Sequence, residues 1–278
     1  MNESLLQPSL KTSKRKLNDK LPISLVVITA NEERNLERCL EAANFCVEMI
    51  IVDSGSTDRT MEIAQRYGAR IIQRRWAGYR DQKNFACALA TQPWVLCIDA
   101  DEVVTPTLRK SIESAFQSEP VVDGFELNRH GVFGTTPINH SGWYPQWRMF
   151  LYRRGQAEWT GNEPHPYVQF NGRCSERLAG DLLHFTCVDT RQHIIKNVNS
   201  AYAAALAMYQ NGDKSTFSQI VLHPLWAAFR VYVLKRGFVN GFHGWVIALS
   251  TGFYTFLKYA MLREMKMADR TKNSQTGH

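Results

Sequence analysis

Between residues 21 and 101 the chain repeats one pattern: a short apolar run, polar or acidic residues, then a stretch with helical spacing. Ile23 to Thr29 is apolar and β-branched, and Glu33 to Asn44 sets Leu36 and Leu40 on one helical face. Met49 to Val52 runs into Asp53-Ser54-Gly55-Ser56-Thr57-Asp58, and a helical pattern follows from Thr60 to Tyr67, closed by Gly68. Ala69 to Gln73 reads as a third strand, Asp81 to Ala90 as a third helix and Trp94 to Ile98 as a fourth strand. Wholly apolar strands are buried on both faces. Their alternation with helices predicts an α/β fold: a mixed, mostly parallel sheet with helices on both sides.

Such sheets bind ligands at the C-terminal ends of their strands. Thr29, Asn31 and Glu32 leave the first run, Asp53 the second, and Asp99 and Asp101 the fourth. Strand side chains repeat direction every second residue, so Asp99 and Asp101 are expected to face one side. Two carboxylates so placed suit a hard divalent cation that holds a substrate's phosphates. Asp-Ala-Asp alone fits an acidic turn ahead of a helix equally well. Its company separates the two readings: the three strand ends together make a nucleotide-diphosphate site, with Asp53 accepting from an imide N–H or a ribose hydroxyl. Ser54, Gly55 and Ser56 allow a tight turn, and Ser56 or Thr57 can also cap the next helix. No Gly-x-Gly-x-x-Gly and no P-loop is present, which disfavours a dinucleotide fold and nucleotide hydrolysis.

Four segments, Ile23 to Glu32, Ile51 to Asp58, Gln82 to Ala86 and Asp99 to Glu102, resemble the inverting family 2 glycosyltransferases of GT-A fold. Gly142 to Pro145, Arg148 to Phe150 with Arg153-Arg154-Gly155, Lys235 to Phe238 and Phe253 to Tyr259 resemble their lipopolysaccharide-core β-glycosyltransferase branch. The resemblance covers about residues 22 to 264. It implies transfer of a sugar from a nucleotide-diphosphate donor, a UDP-sugar, to a hydroxyl of a lipid-linked cell-envelope saccharide, with inversion. Carried over, Thr29, Asn31, Glu32, Asp53, Ser54, Lys83 and Asp99 bind the donor, and Asp101 with Asp99 holds Mg²⁺ or Mn²⁺. Transfer to a polyprenyl phosphate is the alternative reaction. A non-catalytic nucleotide-sugar-binding or scaffold protein is the alternative of another class.

Single-step inversion needs a general base for the acceptor hydroxyl. Glu158, Glu163, Asp181 and Asp189 are candidates, and Glu163 is favoured because Trp159 to Pro166 fixes a loop around it. Many members of the family it resembles carry an acid directly after the histidine that corresponds to His165, where this chain has Pro166. Trp143, Tyr144, Trp147 and Arg148, with His165, are expected to form an acceptor wall, since aromatic faces stack on sugars and Arg grips anions. His184, beside Leu182-Leu183, reads as structural.

The net charge of +7 sits at the ends: residues 1–20 carry +3, residues 220–270 carry +5, and the rest sums to −1. A nucleic-acid binder spreads basic residues over its core domain, whereas basic ends suit an anionic membrane surface. Aromatic residues from Trp226 to Tyr259 alternate with Arg230, Lys235, Arg236 and Lys258, and the charge-free stretch 237–257, interrupted by Gly241, His243 and Gly244, is borderline for a span. An interfacial arrangement is expected. The six cysteines show no metal spacing and read as reduced thiols of a cytoplasmic protein, and residues 1–20 lack a signal-peptide core. The expected organisation is a disordered basic leader (1–20), a catalytic domain (21–215), a helical membrane-associated region (216–266) and a tail (267–278), peripheral on the inner face of the cell membrane.

Overall fold

The computed structural model describes residues 20–161, 163 and 166–275, so the expected basic leader lies outside the described residues except for Lys20. The predicted alternation appears as β1 (Leu21–Thr29), α1 (Leu36–Ala42), β2 (Cys46–Asp53), α2 (Thr60–Arg66), β3 (Arg70–Gln73), α3 (Tyr79–Ala88) and β4 (Trp94–Cys97). Sequence periodicity does not reveal the next two elements, β5 (Glu102–Val104) and α4 (Pro106–Ala115). α4 starts where Thr105 Oγ1 accepts from Leu108 N, with Pro106 in the first turn. The second half adds β6 (Gly124–Phe133), β7 (Thr136–Pro137), β8 (Trp147–Arg153), a hairpin of β9 (Ala157–Thr160) and β10 (Tyr167–Phe170), and the long β11 (Ser175–Cys187).

The main sheet runs β3-β2-β1-β4-β8-β6-β11-β5, with β7 beside β6. β3, β2, β1 and β4 are mutually parallel, as are β6 and β11; β8 is antiparallel to both its neighbours and β5 to β11. β1 lies between β2 and β4. The polar strand ends therefore stand in space as Asp53, Thr29, Asp99 rather than in chain order.

One face of the sheet buries Leu36 and Leu40 of α1, Ile63 of α2, and Leu108 and Ile112 of α4 against Leu25, Val27, Leu96 and Leu127. The other buries Ala86 of α3 and Trp159 of the hairpin against Val26, Val52 and Val95. Each large side chain so buried contributes roughly 1.5–3 kcal/mol. The core thus holds fixed the strand ends where the site lies.

α5 (Thr190–Gln210) is capped by Asp189, and α6 (Phe217–Phe229) by a Thr216/Gln219 capping box. A π-helical turn (Arg230–Leu234) and a 3-10 turn (Gly237–Asn240) lead into α7 (Gly241–Gln275). α7 packs on both α5 and α6. Gly244 permits the closest approach, because a Cβ there would stand 1.8 Å from the Gly237 carbonyl oxygen. α7 continues through Gln275, so the residues expected as a tail from 267 are helical as far as they are described. Among the described residues, the stretch long and apolar enough to cross a membrane is Phe217–Leu234, only 6% of which is buried.

Candidate active site

The first strand end is a closed hydrogen-bond network. Asp53 is fully buried. One carboxylate oxygen accepts from Thr29 Oγ1 (2.8 Å) and Ser56 Oγ (2.5 Å), the other from Gly55 N (2.9 Å) and Ser56 N (2.8 Å). A carboxylate has about four lone-pair sites, and all four are taken. Asp53 therefore shapes the turn, with its acceptor sites taken by the protein's own N–H and O–H groups. Asn31, at φ 58°, accepts from Thr57 N (2.8 Å) and donates its own N–H to Ser56 Oγ (2.8 Å). Asn tolerates that left-handed conformation better than most residues. Ser54 Oγ accepts from Gln82 Nε2 at 3.1 Å. Burial raises the Glu32 pKa, with the Asn35 side chain opposing it.

β4 ends at Cys97, so Asp99 and Asp101 lie in the turn to β5, where Glu102 N donates to Asp99 O. The two carboxylates are thus set by a turn rather than by strand alternation, and each has its own partner. Asp99 Oδ1 lies 2.6 Å from Lys83 Nζ of α3. Burial alone would raise the Asp99 pKa, but Lys83 first, then Arg129 and His184, together hold the carboxyl below its ordinary value. Burial likewise opposes the Lys83 charge, and Asp99 holds the ammonium above its ordinary value. Asp101 Oδ2 instead stands 3.4 Å from His184 Nε2. His184 Nδ1 is fixed 2.9 Å from Thr186 Oγ1. His184 is therefore placed beside the acidic turn rather than being purely structural. Pairing of β5 with β11 puts it there, a contact without a sequence signal.

The neighbouring cavity of about 820 Å³ is lined by Tyr79, Lys83, Asp99, Glu102, Glu126, Arg129, Trp147, Arg148 and Trp159, among others. Buried Glu102 accepts from Arg129 Nε at 2.6 Å, and burial pushes its pKa up. Burial first, then repulsion from Arg129, lowers the Arg148 pKa. An anionic substrate group between the two guanidiniums would relieve that repulsion. Arg148 and Trp147 line the cavity, whereas Tyr144 lies on His130 (ring centroids 4.1 Å) and Trp143 packs beside Phe133 and His193. Both rings are engaged in packing. His165 lies outside the described residues. Glu163 is exposed, and its Oε1 accepts from Arg80 N (2.9 Å) at the start of α3. Glu102, Glu126, Arg129 and Tyr79 were missed; only Glu102, next to Asp101, had any signal.

The model of glycosyl transferase family 2 matches residues 24–176, more than half of the chain. The lipopolysaccharide core biosynthesis glycosyltransferase LpsC of Rhizobium meliloti (strain 1021) is 29% identical over 252 residues, covering 87% of this chain and 92% of that protein. An uncharacterized glycosyltransferase of Rickettsia felis is 30% identical over 261 residues, covering 87% and 89%. Among solved structures, S. aureus TarS is similar at a TM-score of 0.45 and 14% identity, covering 85% of this chain and 90% of that one. Glucosyl-3-phosphoglycerate synthase from Mycobacterium tuberculosis, in complex with Mn²⁺, UDP and glucosyl-3-phosphoglycerate, gives a TM-score of 0.33 at 20% identity, over 47% and 50%. The chain belongs to glycosyl transferase family 2 and is a glycosyltransferase.

Proposed function

We propose that the protein transfers a sugar from a UDP-type donor to a hydroxyl of a lipid-linked saccharide of the lipopolysaccharide-core kind, inverting the anomeric centre. The observation that carries this reading is Asp101 facing His184 at 3.4 Å, with the cavity-lining Asp99 and Glu102 on either side of Asp101. The Asp101 carboxylate would hold Mg²⁺ or Mn²⁺ through oxygen, with the His184 imidazole beside it. When bound there, the ion supplies positive charge against the departing diphosphate. Lys83 and Arg148 add fixed positive charge at the cavity wall, and Trp147 offers a face for a sugar ring. The name of the LpsC relative supports the choice of acceptor.

The helical region supports attachment to a membrane surface. Phe217, Leu222, Leu225 and Trp226 of α6 and Phe242, Trp245, Leu249 and Phe253 of α7 are exposed, and Arg230, Lys235 and Arg236 lie between the two sets. Exposed apolar area on this scale marks an interaction surface. A peripheral seat on the inner face of the cell membrane would bring a lipid-anchored acceptor to the cavity.

The test is direct. The full chain is incubated with UDP-sugars and lipid-linked core saccharide, with Mn²⁺ or with EDTA, and the product's anomeric configuration is read by NMR. Metal-dependent formation of an inverted glycoside is expected. No transfer from any UDP-sugar, or a retained anomer, would overturn the reading.

A further inference from the structure

The proposed transfer needs a group that takes the acceptor hydroxyl's proton, and the cavity is lined by three carboxylates: Asp99, Glu102 and Glu126. Two of them are engaged. Asp99 is held by Lys83 at 2.6 Å. Glu102 is fully buried, with one oxygen accepting from Arg129 Nε (2.6 Å) and the other from Asp99 N (2.8 Å). Glu163 is engaged elsewhere. Its Oε1 accepts from Arg80 N, and a Cβ on Gly78 would come within 2.9 Å of that oxygen. Glycine at φ 98° is what admits this contact, so Glu163 serves as a side-chain cap for α3.

Glu126 differs from all of these. Arg177 Nε holds its Oε2 at 2.8 Å, while Oε1 has no hydrogen-bond partner among the described residues. Its side chain is about a third exposed (32%). Glu126 pairs with Met149 across the sheet, and Met149 and Phe170 line the same cavity. Its place in the sheet also suits a displacement. β6 is two strands from β4, roughly 10 Å at the usual strand spacing. A sugar ring lying between them has the Asp99 and Lys83 side for its diphosphate and the Glu126 side for the incoming oxygen.

We propose that Glu126 is the proton acceptor of the transfer, an assignment that rests on the function proposed above. The acceptor O–H proton passes to Glu126 Oε1 as that oxygen bonds to the anomeric carbon. The bond from that carbon to the diphosphate oxygen breaks, and its electron pair leaves with the diphosphate. Glu126 finishes as the neutral acid and returns its proton to water. Arg177 is a positioning residue that fixes the carboxylate.

The experiment compares Glu126→Gln, Glu126→Asp and Glu163→Gln with the wild-type full chain, using lipid-linked acceptor and Mn²⁺, with UDP affinity measured by calorimetry. Glu126→Gln is expected to lose at least about 100-fold in kcat, the usual scale of general-base catalysis, with UDP affinity unchanged and the acidic limb of the pH profile gone. Glu126→Asp, which keeps the carboxylate, should retain more turnover than Glu126→Gln and keep that limb. Glu126→Gln within a few-fold of wild type would overturn the assignment, as would an equal loss in Gln and Asp variants that still bind UDP. A loss confined to Glu163→Gln would overturn it too. Absence of transfer by the wild type would instead sink the function itself, so the two failures are distinguishable.

Discussion

Lys83 of α3 grips Asp99 in the turn after β4: Nζ lies 2.6 Å from Oδ1, and the ammonium sits 4.0 Å from the centroid of the Trp159 ring. The pair ties a helix on one side of the sheet to the acidic turn. Because Asp99 is held below its ordinary 3.8, its share of stability is present above that pH and is lost as pH falls towards its folded value. Because Lys83 is held above its ordinary 10.5, its share is present below that pH and is lost as pH rises through its folded value. Lys83→Met should therefore destabilise the protein at pH 7. Removing one partner of a buried pair costs about 3–5 kcal/mol, but the Asp99 side chain is 35% exposed and solvent screening reduces this to about 1–2 kcal/mol. Urea unfolding should show that difference at pH 7 and its shrinkage below pH 3.8. A difference that stays constant into acid would argue that Lys83 matters only for packing.

The Asp101 and His184 contact predicts how the donor is held. UDP should raise Tm when Mn²⁺ is present and lose most of that effect in EDTA. At a hundred times its Kd, a ligand adds about 2.7 kcal/mol of stability. Asp101→Asn and His184→Asn should each reduce the metal-dependent rise, while Asp99→Asn should also lower stability without ligand because Lys83 loses its partner. Equal stabilisation by UDP in EDTA, or a full rise in His184→Asn, would remove this pair from the donor site.

The fold was legible in the sequence wherever a segment buries a periodic face. β1 to β4 and α1 to α3 announce themselves because their apolar residues meet the core at regular intervals. The site was legible only in part, and the reason is the turn after β4. Alternation predicts that Asp99 and Asp101 share a side, yet the chain has stopped being a strand two residues earlier, and each carboxylate finds a different partner. Glu126 and Arg129 lie on a strand whose neighbours in space, β8 and β11, are distant in sequence, so no local pattern marks them. Asp53 was identified from its position, but whether its lone pairs are free depends on Thr29 and Ser56, which only the folded turn brings to it.

The helical region should bind anionic vesicles through both of its components. Exposed Trp226, Phe229 and Phe242 supply apolar area, and Arg230 and Arg236 are exposed nearby. Each basic residue near an anionic surface contributes about 1 kcal/mol. The double variant Arg230→Gln with Arg236→Gln should therefore weaken sedimentation with phosphatidylserine vesicles about 30-fold at low salt, and much less with neutral ones. Replacement of Trp226 and Phe242 by Ser should weaken binding to both kinds of vesicle. If neither variant changes sedimentation, the membrane contact lies elsewhere on the chain.

His193 gives the helical region a dependence on pH. Its Nε2 lies 2.8 Å from Ser250 Oγ, both side chains are buried, and the pair joins α5 to α7. Burial first, and the nearby Lys196 second, lower the His193 pKa below its ordinary 6.5. The neutral ring is the form that fits. A depressed histidine costs the fold nothing above 6.5, and stability is lost as pH falls from 6.5 towards the folded value, where the unfolded chain takes up protons more readily. The loss should spread, because Trp143 packs on His193 and Ser141, two residues before it, accepts from Asn240 and donates its N–H to the Lys235 carbonyl. Loosening α5 from α7 would thus free the segment that leads into Trp147 and Arg148. Amide exchange in α5 and in residues 141–147 should accelerate between pH 7.5 and pH 5.5 after correction for intrinsic rates, while β1 and β2 stay protected. His193→Gln, which keeps a hydrogen-bonding group but does not titrate, should flatten that dependence; the same acceleration in this variant would place the sensitive group elsewhere.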